Sequence, residues 1–125
     1  MLNVVSLMGR LTKAPELRQT TTNIPVASFT VAVDRDFTGK DGERETDFVP
    51  CVAWKRTGEF VAKHFDKGSL IALTGRLQIR SYTDKSGEKR SIAEVIADTV
   101  YFAGSKEKKP DTGFTEMEAD GNLPF

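Results

Sequence analysis

Five stretches of this chain, roughly residues 2–11, 25–36, 45–55, 69–82 and 91–103, are rich in Val, Ile, Leu, Phe and Thr and are set apart by turn-forming residues. Successive side chains on an extended strand point to opposite faces, so such runs bury an apolar face only by pairing into a sheet. An all-β architecture follows. The breaks Lys13-Ala14-Pro15-Glu16, Thr22-Asn23-Ile24-Pro25, Thr38-Gly39-Lys40-Asp41-Gly42 and Asp84-Lys85-Ser86-Gly87 supply the Pro, Gly, Asn and Asp that turns favour. The last two are expected to be charged hairpin loops.

Between the third and fourth stretches, residues 59–68 place apolar or aromatic side chains at Phe60, Val61, His64 and Phe65 and end at Lys67-Gly68. That spacing predicts one short amphipathic helix with Gly68 as its C-cap. Five strands with a helix between the third and fourth is the layout of an OB-fold, a small Greek-key barrel whose exposed strand face and long hairpin loops bind oligonucleotides. A generic sandwich shares the alternation. The expected fold is all-β with one short helix: a five-stranded OB-fold barrel in residues 1–104, then a disordered acidic C-terminal tail in residues 105–125, linker first.

A chain of 125 residues with 38% apolar and 29% charged side chains suits a single domain with a modest core. No apolar run approaches a membrane span and no secretion signal opens the chain, so a cytoplasmic protein without membrane contact is expected. The single cysteine, Cys51, fits a reducing compartment. Net charge is zero, but it is unevenly placed. Through Lys109 the chain carries 18 basic and 14 acidic residues, and from Pro110 onward none and four. A mildly basic body with an acidic tail suggests a polyanionic partner for the body and a basic one for the tip. The tip itself, Asp120-Gly121-Asn122-Leu123-Pro124-Phe125, ends on an apolar plug that solvated tails do not ordinarily carry.

The strand faces indicate what the body binds. In the third stretch Val49, Cys51 and Ala53 are small, whereas Phe48, Pro50, Val52 and Trp54 are bulkier. One small barrel cannot hold both sets. With the odd positions inside, Phe48 and Trp54 share an outer face about 20 Å apart, at about 3.3 Å per residue. In the fourth stretch Ile71, Leu73, Gly75, Leu77 and Ile79 are expected in the core, and Thr74, Arg76, Gln78, Arg80 and Tyr82 outside. Rings beside guanidinium groups suit a single-stranded nucleic acid, whose unstacked bases lie on rings while cations follow its phosphates. A cross-strand packing pair, a subunit interface or a solvated face would show the same pattern. Arg35 and Phe37 enter the 38–42 loop, and Lys85, Lys89 and Arg90 belong to the later one.

Catalytic patterns are missing. His64, the only histidine, is expected as a core residue of the helix rather than a base. One His and one Cys do not make a typical zinc site, Gly39-Lys40 is followed by Asp41 rather than the Ser or Thr of a phosphate-binding loop, and no carboxylate pair stands out. No enzyme, metal or cofactor is expected.

An ordered series of segments runs nearly end to end: Leu2-Asn3-Val4-Val5-Ser6-Leu7-Met8-Gly9-Arg10-Leu11, Pro15-Glu16-Leu17-Arg18, Val26-Ala27-Ser28-Phe29-Thr30-Val31-Ala32, Thr46-Asp47-Phe48 to Val52-Ala53-Trp54, Lys67-Gly68-Ser69, Gly75-Arg76-Leu77 to Tyr82, and the closing Leu123-Pro124-Phe125. In these residues the chain resembles the bacterial single-stranded DNA-binding proteins. The resemblance implies base stacking on Phe37, Phe48, Trp54 and Tyr82 and phosphate contacts at Arg56, Lys67 and Arg80. It also implies a nucleoid-associated homotetramer, built through the first strands and the packing of paired sheets, on which DNA wraps without sequence preference. The tip, with Asp120, Leu123, Pro124 and Phe125, would recruit replication, recombination and repair proteins. Three departures stand out: Glu116, Glu118 and Asp120 are spaced rather than consecutive, the linker at 105–113 is short, and Phe48 and Tyr82 replace tryptophans common in some relatives. The alternatives are an OB-fold protein-interaction module, such as a primosome factor, or an RNA-binding one.

Overall fold

The computed structural model describes residues 1–38 and 42–104, without the side chains of Phe37 and Thr38. The expected linker and tip, with Asp120, Leu123, Pro124 and Phe125, lie outside the described residues. The elements are β1 (Val5–Leu11), β2 (Glu16–Gln19), β3 (Pro25–Thr38), β4 (Arg44–Trp54), α1 (Lys55–His64), β5 (Leu70–Thr83) and β6 (Lys89–Phe102). Hydrogen bonding runs β1-β5-β6-β4-β3 and returns to β1 through Arg10–Ala32 and Leu11–Val31. Five strands thus close into the expected OB-fold barrel. All pairs are antiparallel except β4 with β6, which run parallel from Cys51–Val95 to Ala53–Ala97.

A sixth, short strand was not expected. β2 pairs with β3 alone, from Glu16–Ser28 to Gln19–Pro25, and all four of its residues are exposed. Without a buried face, β2 carries no apolar alternation from which a strand could be read.

The core is built from the inward positions of the barrel: Leu11, Phe29, Val31, Cys51, Ala53, Ile71, Leu73, Val95 and Ala97, closed at one end by Val61 and Phe65. Burial pushes the Cys51 thiol up to about 12, so it packs as a small apolar group. Leu77 and Ile79, expected inside, are 44% and 61% exposed. The register shifts between Thr74–Thr99 and Gly75–Ala97; past Leu77, whose partner Val95 is the last β6 residue also paired with β4, β5 and β6 run on as a two-stranded arm with Leu77 at its base. Alternation specifies the side of a strand a residue occupies; it does not put another layer opposite. The arm lacks that layer at Leu77 and Ile79.

The helix starts four residues earlier than its apolar spacing suggests. Trp54 is still extended, and Lys55, with φ +56°, turns the chain directly from β4 into α1. It also ends earlier: the Phe65 N–H bonds to the Val61 carbonyl while Phe65 itself returns to extended geometry and buries its ring. Gly68 is therefore not the C-cap. With φ +85° it forms the turn into β5, where its N–H donates to the Leu11 carbonyl. His64 is exposed rather than buried, its ring tilted against Phe60 with centroids 4.7 Å apart. Lys63 and His64 place basic groups at the negative end of the helix dipole.

Gly58 lets α1 lie directly on the barrel. A Cβ there would stand 2.5 Å from the Ala53 carbonyl oxygen and 3.1 Å from the Ala27 nitrogen, both backbone atoms that cannot swing aside. Alanine favours a helix by about 1 kcal/mol over glycine, whereas overpacking costs about 1–3 kcal/mol. Gly58→Ala is accordingly expected to lower the urea midpoint despite its better helix propensity; a raised midpoint would show that the contact relaxes freely.

Candidate nucleic-acid interface

The outer faces of β3, β4 and β6, together with β2 and the β5 arm, line one groove. Its volume is about 340 Å³. Its floor is apolar, formed by Val26, Val52 and Ile96 with Ser28 beside them. The register explains the clustering: Val26 pairs with Trp54, Ser28 with Val52, and Val52 with Ile96. Arg18 and Trp54 stand on one side, Gln78 and Arg80 on the other, and Glu94 reaches in from β6.

Trp54 owes its place to the end of β4, where the left-handed turn at Lys55 stops the strand with the ring outside. It is 42% exposed, against 1% and 0% for its inward neighbours Cys51 and Ala53. Phe48, on the same face of β4 opposite Ala32, is 64% exposed, and Tyr82, on the β5 arm opposite Arg90, 45%. Each presents ring surface to a planar ligand. The Phe37 backbone belongs to β3, but its side chain lies outside the described residues.

The basic residues fall into distinct positions. Arg80 lines the groove and donates from Nε to Glu94 Oε1 at 3.0 Å; Arg76, two alternations earlier on β5, donates from Nη1 to Gln78 Oε1 at 2.9 Å. Arg35 is fully engaged: Nε and Nη2 donate to Asp47 and Nη1 to Glu45, at 2.8–3.2 Å. These contacts raise the Arg35 pKa and hold Asp47 below the usual carboxylate range. Arg56 is exposed in the first turn of α1, Lys67 is exposed in the turn before β5, and Lys85 and Lys89 are exposed at the arm tip. None of these last four, nor Arg35 or Arg76, lines the groove.

Arg18, Gln19 and Thr20 also line the groove, where no alternation in the sequence places them. They reach the groove through β2, and Arg18 is held there by a 3.3 Å hydrogen bond from Nη2 to Ser28 Oγ. The one available signal was the basic residue in Pro15-Glu16-Leu17-Arg18; nothing in its spacing shows that the segment folds beside β3.

The tip of the arm is closed by its own hydrogen bonds. Asp84 Oδ1 accepts from the Ser86 and Glu88 N–H groups and the Ser86 hydroxyl, and Oδ2 from Arg90 Nε at 2.7 Å. The Arg90 guanidinium first, then Ser86 and the Glu88 amide, bring the Asp84 carboxyl down to about 2. A depressed carboxylate contributes stability that is complete above its unfolded value, near 4, and is lost as pH falls through about 2. Amide exchange at Ser86 and Glu88 should therefore stay protected at pH 3 and lose protection near pH 2. Loss already complete at pH 4 would contradict the pairing.

Residues 2–103 match the single-strand binding protein family. The chain belongs to that family. Among its relatives, the single-stranded DNA-binding protein of Caldanaerobacter subterraneus subsp. tengcongensis is 39% identical over the whole of both chains. Single-stranded DNA-binding protein A of Bacillus subtilis is 51% identical over 85% of this chain and 62% of its own. Single-stranded DNA-binding protein 2 of Staphylococcus aureus strain COL is 45% identical over all of this chain and 91% of its own. Family membership and the barrel agree, since the matched span ends one residue past β6. No helix among the described residues is long and apolar enough to cross a membrane.

Proposed function

We propose that this protein is a non-catalytic, sequence-independent binder of single-stranded DNA. The observation that carries the reading is the groove, where the exposed Trp54 ring stands with Arg18 and Arg80 around an apolar floor. A base unstacked from its neighbours gains about 1–3 kcal/mol on such a ring, and every base has a face to offer, so stacking brings affinity without reading sequence. Phe48 and Tyr82 extend the ring surface, and Phe37 joins them on the family resemblance. Arg76 and Arg80 follow the phosphates from β5, with Arg56, Lys67, Lys85 and Lys89 as outlying contacts. Arg35 has the smallest share, because it must give up its carboxylates to meet a phosphate.

On this reading residues 1–104 form the DNA-binding domain of a cytoplasmic, nucleoid-associated protein, and residues 105–125 a linker and tip. The tip residues Asp120, Leu123, Pro124 and Phe125 recruit replication, recombination and repair proteins that offer a basic, apolar pocket. Assembly into a homotetramer is supported by the apolar surface that a single copy leaves bare: Leu2, Val4 and Met8 around β1, and Leu77 and Ile79 on the arm. Surface of this kind marks an interface more often than open solvent.

Trp54 is the only tryptophan, so its fluorescence reports on the groove directly. Titration with oligo(dT) should change its emission, and log affinity should fall linearly with log salt, by about 0.7 per phosphate contacted. Unchanged emission at low salt with saturating oligo(dT) would sink the reading.

A further inference from the structure

Glu94 sits awkwardly in a groove for a polyanion. Its side chain is only 8% exposed, and it lies among Val52, Ile96, Gln78 and Arg80 rather than in water. A buried carboxylate facing the path of phosphates opposes binding by simple electrostatics. Its contact with Arg80 suggests why it is there.

Besides Arg90 at the arm tip, Arg35 and Arg80 hold carboxylates, in different ways. Arg35 spends Nε, Nη1 and Nη2 on Asp47 and Glu45. Arg80, among the described residues, donates from Nε alone, and only to Glu94. A guanidinium has five donors in a rigid plane, so one anchored through Nε keeps its Nη1 and Nη2 fork for a second anion. Arg80 remains 51% exposed while its partner is buried, so the fixed end is inside and the free fork outside. Glu94 is a suitable anchor because it belongs to β6: it pairs with Gln78 across the strands, and Arg80 is the next residue on that face of β5.

We propose that Glu94 is a positioning residue for DNA binding: it holds Arg80 through Nε so that the outward fork of the guanidinium is set for a phosphate beside the base stacked on Trp54. The gain is entropic. A free arginine gives up rotamer freedom when it docks on a phosphate; one already held gives up less. The inference rests on single-stranded DNA being the ligand and adds how one contact is prepared.

The proposal predicts the sign of an effect. If Glu94 only repels phosphate, removing its charge strengthens binding. If it positions Arg80, removal weakens binding even though the groove becomes more positive. Affinity for oligo(dT) is to be measured over a salt series, by Trp54 emission, for the full chain and for Glu94→Gln, Glu94→Asp, Arg80→Ala and Glu94→Gln with Arg80→Ala. Glu94→Asp preserves the charge but withdraws the carboxylate by one methylene, so it separates position from charge and remains informative if Glu94→Gln folds poorly. Thermal unfolding of each variant is followed in parallel.

The expected result is a loss of about 3- to 10-fold in affinity for both Glu94 variants. In Glu94→Gln the salt slope becomes shallower by about 0.7, the share of one phosphate on a single strand. The double variant should bind no more weakly than Arg80→Ala, because the two residues act as one unit. Equal or tighter binding by both Glu94 variants overturns the proposal, as does full additivity with Arg80→Ala, or a loss that follows the thermal midpoint with the slope unchanged. Failure of the unaltered chain to bind oligo(dT) would instead remove the functional reading itself, so the two failures are distinguishable.

Discussion

Phe65→Ala is expected to lower the unfolding free energy by about 3–5 kcal/mol, the range for deleting a buried aromatic ring. Phe65 is the largest fully buried side chain among the described residues, 2% exposed. Its ring stacks on Phe102 with centroids 5.1 Å apart and planes 17° from parallel, and meets Phe60 edge-on at 6.1 Å. The site cannot readily collapse around the void. Its walls are strands of a closed barrel, each hydrogen-bonded on both sides, and α1 is held down by the contact of Gly58 with Ala53 and Ala27. Because domains of this size have only about 5–15 kcal/mol in total, the loss should appear as a large drop in the urea midpoint. A variant unfolding within about 1 kcal/mol of the original would show that Phe65 does not close the core.

The second large effect falls on binding. Trp54→Ala should weaken oligo(dT) binding by about 1–3 kcal/mol, roughly 5- to 150-fold, the worth of one base stacked on one ring. The fold should survive, since the ring is 42% exposed and belongs to the groove rather than the core. The substitution also removes the fluorophore, so anisotropy of a labelled oligonucleotide is the appropriate measurement. Trp54→Phe provides the comparison: it retains a stacking face of smaller area and should recover most of the loss. Equal binding by the alanine variant and the original chain would move the DNA path away from the groove, toward Phe48 and Tyr82.

Both effects stem from one property of strands. Alternation along β4 separates Cys51 and Ala53 from Phe48 and Trp54, and it does so because successive side chains project to opposite faces. That separation was legible residue by residue and put the exposed rings where they are found. Legibility failed where a second element decides the outcome. Leu77 and Ile79 have core spacing but project from an arm with no layer over them. Arg18 has no distinguishing pattern, yet β2 carries it to the edge of the groove. His64 follows the helix period but is exposed: it is the last residue of α1, where its ring lies against Phe60 and Phe102 while Gly58 and Val61 are buried.

The ionic contacts show the same division. Arg35 and Arg80 look alike as outer arginines beside aromatic residues. Across β3 and β4, however, Arg35 meets two carboxylates that occupy its whole fork, whereas across β5 and β6 Arg80 meets one that takes a single nitrogen. Such differences depend on strand register, which turn geometry and pairing set over separations of 10 to 14 residues.

The sequence by itself determined the all-β class, the closing of five strands around small inward residues, the outward rings of β4 and the family resemblance, because these depend on side-chain type at a period of two along single strands. Only the tertiary structure decided how deep the groove is, which arginines line it, and that a buried glutamate holds one of them. Those outcomes arise between strands, where pairing and register bring together residues that no local pattern connects.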